Sequence, residues 1–519
     1  MRRAIPVLRG LPILMVMIAA AVAGMAWAIS SPIGSSPDED YHLASIWCPP
    51  PVETSGCQVQ MNAQGTTTVT LHVRVFGAFA CYAYHPDNSG ACIWSIPADK
   101  IIHDGRFDRG EYSGGFYHVM HIFAYGDPYT AIYRIRAFNV AIAVVLGALL
   151  VLAATRPTRR ILAYAVVSTY VPMGMFIVPA ANPSSWALIG VTTAAFALHS
   201  FWIAETRSRV IFNGVLVAAG IAVAASSRAD AAMYTILAAV AVTCLHYRSV
   251  RRHLVRLVLP GAILVVGLIV FRMSSQATAA LSEGGLGSSN AGRGVSLLFH
   301  NILNSPVLVL GNEGLNSLGW LDTPMPAIVF VLMLVVCAFL VMAGVGRLSW
   351  MKTLVAGGGM FVVLAIPLYL LQVSHLAVGE GVQPRYILPL LPVVSLVLLT
   401  GYRPDQAVRL SRPAAWLAWA LVSGANSVAL MVNIQRYTTG LDGPLFPGHT
   451  VEWWSTNRVG PLPTWILGSL GFAVAAWMVV RLSTGSDTPV AIAATGDQTA
   501  IAPASPAQPS LTPTQQVVD

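Results

Sequence analysis

Three carboxyl groups and an imidazole fall within five consecutive positions near the start of this 519-residue chain: Asp38, Glu39, Asp40 and His42. Side chains of these types can act as a general base, ligate a divalent metal or relay protons, and a carboxylate beside a low-dielectric wall gains proton affinity. The plainer reading is an acidic run that keeps a loop in water. A second group precedes an apolar run near position 390: His375, Glu380, Gln383, Arg385 and Tyr386. A guanidinium such as Arg385 can grip a phosphate through two hydrogen bonds; its ordinary use is to meet lipid headgroups. Asp127, in Gly126-Asp127-Pro128, and Asp322, beside Trp320, are each either a turn former or a site acid. Asp104, Asp108, Glu111, His118 and His121 add polar groups to the same early segment. Arg228 and Asp230 either face a cavity or, the plainer reading, form a local ion pair in a short hairpin, and Tyr129, Tyr133, Arg134 and Arg136 read as interfacial anchors.

These residues must be positioned by a membrane scaffold. With 55% hydrophobic and 10% charged residues, the chain lacks the polar surface that a soluble fold of this size needs. Apolar windows of spanning length recur at 11–30, 137–155, 161–180, 186–204, 210–225, 231–246 and 257–271, then at 326–345, 353–373, 386–402, 414–433 and 463–480. That predicts an all-α polytopic membrane protein with about twelve transmembrane helices. Residues 1–30 form the first helix, read as a signal anchor: Arg2, Arg3 and Arg9 precede an apolar run long enough to be retained. Segment 31–136 is a large loop, 137–271 holds helices two to seven, 272–325 is a second loop, and 326–482 holds helices eight to twelve. The short connections at 156–160, 205–209, 246–256, 347–352 and 402–412 are basic. The alternate ones carry the acids, so both termini are expected in the cytoplasm and the first loop outside. The formal net charge of +8 is spread over these connections, which encodes topology and argues against nucleic acid as a partner.

Four of the six cysteines, Cys48, Cys57, Cys81 and Cys92, lie in the first loop. Two disulfides in an oxidising compartment are expected, with sequential pairing preferred among three connectivities, since the spacings match no compact zinc motif. Thr66–Phe76 alternates Val69, Leu71, Val73 and Val75 with polar residues, the period of a half-buried strand, so the loop should hold a small disulfide-bonded α/β insert. The 272–325 loop is rich in glycine (Gly284, Gly285, Gly287, Gly292, Gly294), then turns amphipathic, and suits a flexible cover over a cleft. Residues 483–519, rich in Pro, Thr, Ala and Gln, are expected to be a disordered cytoplasmic tail. No Walker-type Gly-Lys-Ser/Thr sequence occurs, against an ATP-driven pump.

Three stretches carry a resemblance to a family: PDEDYH at Pro37, Asp38, Glu39 and His42; LGWLDTPMP at Leu318–Pro326; and QPRYILPLLP at Gln383, Arg385, Tyr386, Pro389 and Pro392. They resemble the predicted membrane proteins of unknown function numbered 2142 (DUF2142), related to the membrane glycosyltransferases of fold class C (GT-C). The chain departs from that pattern at Pro384, where glycine is usual, and at Ser184 after Asn182-Pro183, where an acid often follows. The resemblance implies an inverting transfer of sugar from a polyprenyl-phosphate donor to a glycan or lipid acceptor of the cell envelope, on the outer face of the plasma (inner) membrane. It implies Asp38 or Glu39 as the base and Arg385 on the lipid phosphate. His42, Asp127, Asp322, His375, Gln383 and Tyr386 are the further candidates for substrate contact. The cofactor is left open, a divalent metal on Asp38, Glu39, Asp40 and His42 being one option. The competing classes are a lipid-linked glycan flippase and a non-catalytic envelope-assembly scaffold; charges in mid-span are scarce, against the first.

Overall fold

In a computed structural model, which describes residues 6–63, 65–97, 100–112, 114–275, 294–310, 318–380, 382–446, 451–455 and 458–484, long apolar helices enclose one polar elaboration between the first two. Among the described residues nine helices are long and apolar enough to cross a bilayer: Leu11–Ile29, Pro128–Ala153, Ser184–Ile203, Arg207–Ala225, Leu254–Met273, Ala327–Val345, Trp350–Val373, Arg412–Thr438 and Pro461–Arg481. Each can span an apolar core of about 30 Å. The chain is an integral membrane protein.

The other three apolar windows fall on shorter or interrupted helices. Ala229–Leu245 has 17 residues. The window 161–180 is divided into Arg156–Tyr170 and Met173–Ile177. Proline restricts the residue before it to extended geometry, and Val171, ahead of Pro172, is extended at φ −94°, ψ 132°. The window 386–402 begins as a turn, Pro384–Ile387, and resumes after Pro389 as Leu390–Leu399. Within the stretch expected to be a loop, Val295–Leu310 is helical and packs on Trp350–Val373. Its glycines Gly284, Gly285, Gly287 and Gly292, and the expected tail beyond 484, lie outside the described residues.

Ser184–Ile203 is the central helix, buried along nearly its whole length. It meets Arg207–Ala225 backbone to backbone. A Cβ on Gly190 would lie 2.5 Å from the Ala224 nitrogen, and one on Gly220 2.5 Å from the Ala194 nitrogen. Small residues permit such approach where lipid supplies no hydrophobic drive between helices.

The polar elaboration holds helix Glu39–Trp47, an antiparallel sheet ordered β1 (Val59–Met61), β2 (Thr67–His72), β3 (Ile101–Asp104), and helix Gly115–His121. Val69 of β2 faces Val59 and Asp104 in register and is fully buried, as the alternating pattern requires. The strand ends sooner than that pattern suggests: the His72 ring accepts from the Arg74 amide at 3.0 Å and starts a helical turn, Val73–Phe76. Ala44, Val52, Val69, Phe76 and Phe107 form a local core, each large side chain contributing about 1.5–3 kcal/mol by burial. Cys48–Cys57 ties the end of helix Glu39–Trp47 to the approach to β1, and Cys81–Cys92 ties two short turns, the sequential pairing. Phe116, Tyr117, Ile132, Ile135, Trp186 and Tyr437 join the insert to the helix ends.

Candidate functional site

The backbone from Ser30 to Asp38 is held by donors from several separate parts of the chain. Arg136 donates through Nη1 to the Ala28 and Ser31 carbonyls (3.0 and 2.6 Å) and through Nη2 to the Pro32 carbonyl and Ser35 Oγ (2.8 and 3.1 Å). It thereby supplies donors at a helix end, where carbonyls lack intrahelical partners. Asn433 Nδ2 donates to the Ser30 and Ser31 hydroxyls, both at 2.9 Å. The Tyr82 hydroxyl donates to the Ile33 carbonyl (2.6 Å) and Trp320 Nε1 to the Gly34 carbonyl (2.8 Å). Gly34 has φ +82°, and a Cβ there would meet that of Phe79 at 2.9 Å, so the turn admits no side chain. Asn182 Nδ2 and Arg385 Nη1 both donate to the Pro37 carbonyl, at 2.9 and 2.8 Å.

This clamp delivers Asp38 in the left-handed region, φ 58°, ψ 17°, as the cap residue of helix Glu39–Trp47 without a capping bond from its side chain. Aspartate tolerates that conformation better than most residues. Its carboxylate meets cations instead: Oδ2 accepts from Arg385 Nη2 at 2.5 Å and Oδ1 from Arg106 Nη2 at 2.6 Å. Arg106 follows β3 directly, its amide donating to Asp104 Oδ1 (2.9 Å), and its Nε also holds Asp40 Oδ2 (2.9 Å). Arg228, bound twice by Asp230 at 2.9 Å, lies 4.8 Å from the Tyr386 ring centre, and Arg385 lies 5.1 Å from the same ring. Arg385 thus touches both the Asp38 carboxylate, which it shares with Arg106, and the Tyr386 ring, which it shares with the Asp230-paired Arg228. The Asp38 side chain is 35% exposed while that of Arg385 is 1% exposed.

Burial pushes the Asp38 carboxyl up, but the charges of Arg385 and Arg106 outweigh it and hold the group at about 2. Asp40 differs: its burial, only partly offset by Arg106, raises it to about 6. Asp108 is also raised to about 6 by burial, against amide hydrogen bonds from Tyr112, Glu111 and Gly110. His42 is fully enclosed, which lowers its proton affinity and keeps the ring neutral; its Nδ1 lies 2.9 Å from the Tyr117 hydroxyl.

Beside this cluster an apolar cavity of about 120 Å³ opens among the helices, lined by Met173, Val309, Met333, Leu340, Leu388 and Val394. It reaches Pro384, the residue before Arg385.

The family model described as predicted membrane protein (DUF2142) matches residues 22–394. The chain belongs to this family. No curated protein and no solved structure matches it. In this DUF2142 chain the matched stretch carries Asp38, Arg106, Arg228 and Arg385, and ends within Leu390–Leu399.

The candidates named from sequence separate into two groups. Asp38, Arg385 and Tyr386 come together, with Gln383 half-buried just ahead of the Pro384–Ile387 turn. Glu39 points elsewhere: fully buried, it pairs with Arg136 at 3.3 Å and accepts from the Ser36 and Ala181 amides at 3.2 Å each. Asp322 is bonded to Arg436 at 2.9 Å and to the Tyr84 amide at 3.0 Å, tying its turn to helix Arg412–Thr438 and to the insert. Asp127 caps helix Pro128–Ala153 through the Thr130 amide (3.0 Å) and pairs with Arg74 (3.6 Å). His375 lies at φ +54° just past the end of helix Trp350–Val373. No three His, Cys, Asp or Glu side chains converge on a possible metal position among the described residues. Asp38 and Asp40 share Arg106, while Glu39 and His42 are engaged by Arg136 and Tyr117, a donor set that does not fit a shared cation.

Arg106 had no signal in the sequence, because β3 brings it to residues 68 positions away. Arg228 forms the expected local ion pair with Asp230. Arg136, in sequence an interfacial anchor, is buried, and both its terminal nitrogens donate to the segment 30–39 and its approach. In sequence it flanks the apolar run that begins at 137, and only the helix start at Pro128 places it inside a helix.

Proposed function

We propose that this protein is an inverting glycosyltransferase of the GT-C kind, taking sugar from a polyprenyl-phosphate donor at the insert-bearing face of the plasma membrane. On this reading the nine long helices and three shorter ones make twelve crossings, with both termini in the cytoplasm. The disulfides accord with an oxidising exterior for the insert. The observation that carries the reading is a partly exposed Asp38 between Arg385 and Arg106, with an apolar cavity whose lining includes Pro384, the residue before Arg385. A lipid-linked phosphate needs that combination: cations for the anion and an apolar wall for the tail.

In the reaction, the acceptor hydroxyl oxygen bonds to the anomeric carbon from the side opposite the phosphate. Asp38 takes the hydroxyl proton, and the anomeric carbon–oxygen bond to phosphate breaks with its electron pair leaving on phosphate. Arg385, with Arg228 and Arg106, stabilises that charge. A carboxyl near pH 2 is a poor base, but an incoming phosphate competes for the same guanidinium groups and so raises the proton affinity of Asp38 as the donor binds. Glu39, fully buried on Arg136, is the weaker candidate for base.

Incubating purified protein with radiolabelled polyprenyl-phosphate sugars and envelope acceptors tests this directly. Labelled glycan together with released polyprenyl phosphate is the expected result. Movement of intact donor across proteoliposomes without transfer would favour a flippase, and neither outcome across a broad panel would favour a scaffold.

A further inference from the structure

A second cavity, of about 300 Å³, lies at the opposite end of the helices from the insert and is lined by Arg156, Arg160, Arg347, Arg409, Tyr402 and Asp405, among others. Helix Pro128–Ala153, with 26 residues and a length of about 39 Å, separates the two ends. We propose that this cavity is a phosphate-binding site for the headgroup of an anionic membrane lipid.

Four arginines and one aspartate line it, and the arginines come from three stretches of chain. Arg156 and Arg160 belong to helix Arg156–Tyr170, whose N-terminal end adds a favourable dipole for an anion. Arg347 lies in the turn after Ala327–Val345, and Arg409 just beyond a hairpin closed by Thr400 pairing with Ala407. The hairpin is well bonded: the Gly401 amide donates to the Gln406 carbonyl and the Val408 amide to the Leu399 carbonyl, both at 2.8 Å. Buried Lys352 locks these parts together, its Nζ donating to the Gly344 carbonyl at 3.1 Å and the Thr400 carbonyl at 2.7 Å. The arginines are therefore carried on a fixed frame. Scattered basic residues at a membrane face encode orientation only, whereas convergence of four on one cavity makes a site.

Lipid is favoured over a soluble anion by what surrounds the cavity. Met342, 72% exposed, lies just over one helical turn before Arg347, and Tyr402 and Trp350 are exposed aromatics at the same end, the residue types that mark a headgroup boundary. A headgroup phosphate can sit among the arginines while its acyl chains follow the apolar face of Ala327–Val345.

Native mass spectrometry of the full chain tests the proposal, after exchange into mixtures of phosphatidylglycerol and phosphatidylcholine and, separately, with inorganic pyrophosphate. Retained phosphatidylglycerol should fall at least tenfold in the Arg347→Gln/Arg409→Gln double variant, both positions being outside helices, and should persist in Arg252→Gln, a basic position outside the cavity. A thermal melt confirms that each variant is folded. Equal loss in both variants, no preference over phosphatidylcholine, or binding of pyrophosphate without lipid would each overturn it.

Discussion

Asp38 and Glu39 are adjacent carboxylates with opposite surroundings. Glu39 is sealed among amides and Arg136, within a clamp that fixes the backbone from Ser30 to Asp38. Asp38 is the cap residue of the same helix but is partly exposed, meeting Arg385 of the Pro384–Ile387 turn and Arg106 of the segment after β3. Asp38 lies at the left-handed cap and Glu39 is the first residue of the helix, and that change of backbone divides a carboxylate that holds the platform from one that can meet a ligand. Two like side chains in one motif thus take unlike tasks, and burial with its partners is what distinguishes them.

Breaking the inner pair should have the largest effect. Glu39→Gln leaves Arg136 charged and buried without its counter-ion, a loss of about 3–5 kcal/mol that thermal unfolding in detergent would register; a melt unchanged from wild type would refute the platform role. Asp38→Asn should cost clearly less, since its carboxylate is partly in solvent. Removing the Cys81–Cys92 disulfide by paired serine substitution should destabilise the insert by about 2–4 kcal/mol, seen as faster proteolysis confined to residues 31–127.

Acidification sharpens the contrast between Asp38 and its other neighbour. Asp40 and Asp108, raised to about 6 from an ordinary 3.8, bind protons more tightly in the folded chain than in the unfolded one. Their contribution to stability is complete below the ordinary carboxylate value and is lost as pH rises through about 6. Asp38 behaves oppositely, its contribution holding above the ordinary value and fading only toward pH 2. The melting temperature should therefore rise by a few degrees from pH 7 to 5, and an Asp40→Asn/Asp108→Asn variant should flatten that rise. The smallest change is expected from Asp127→Ala, which removes a helix cap worth about 1 kcal/mol and should leave any transfer activity at the wild-type level.

Composition and apolar periodicity made the membrane class and the run of helices legible, since lipid demands long uncharged stretches whatever the tertiary fold. Cysteine placement likewise pointed to the sequential disulfides. The interruptions at Pro172 and Pro389 were harder to see, because hydropathy averages over a proline that backbone geometry cannot ignore. Helix Val295–Leu310 shows in sequence as an amphipathic stretch of a loop. In the candidate site, Asp38 and Arg385 stood out by residue type and position, but their meeting spans 347 residues and no local pattern encodes it. Asp127 and Asp322 have the same residue type as Asp38; the amides and arginines that engage them are tertiary facts.

The most direct test compares sugar transfer from a polyprenyl-phosphate donor by wild type, Asp38→Asn and Glu39→Gln protein, each checked for folding by its melt. The account predicts that Asp38→Asn keeps a folded chain and loses transfer by about a hundredfold or more, whereas Glu39→Gln loses stability first and retains transfer in the fraction still folded. Transfer that survives in Asp38→Asn but vanishes in folded Glu39→Gln would contradict it.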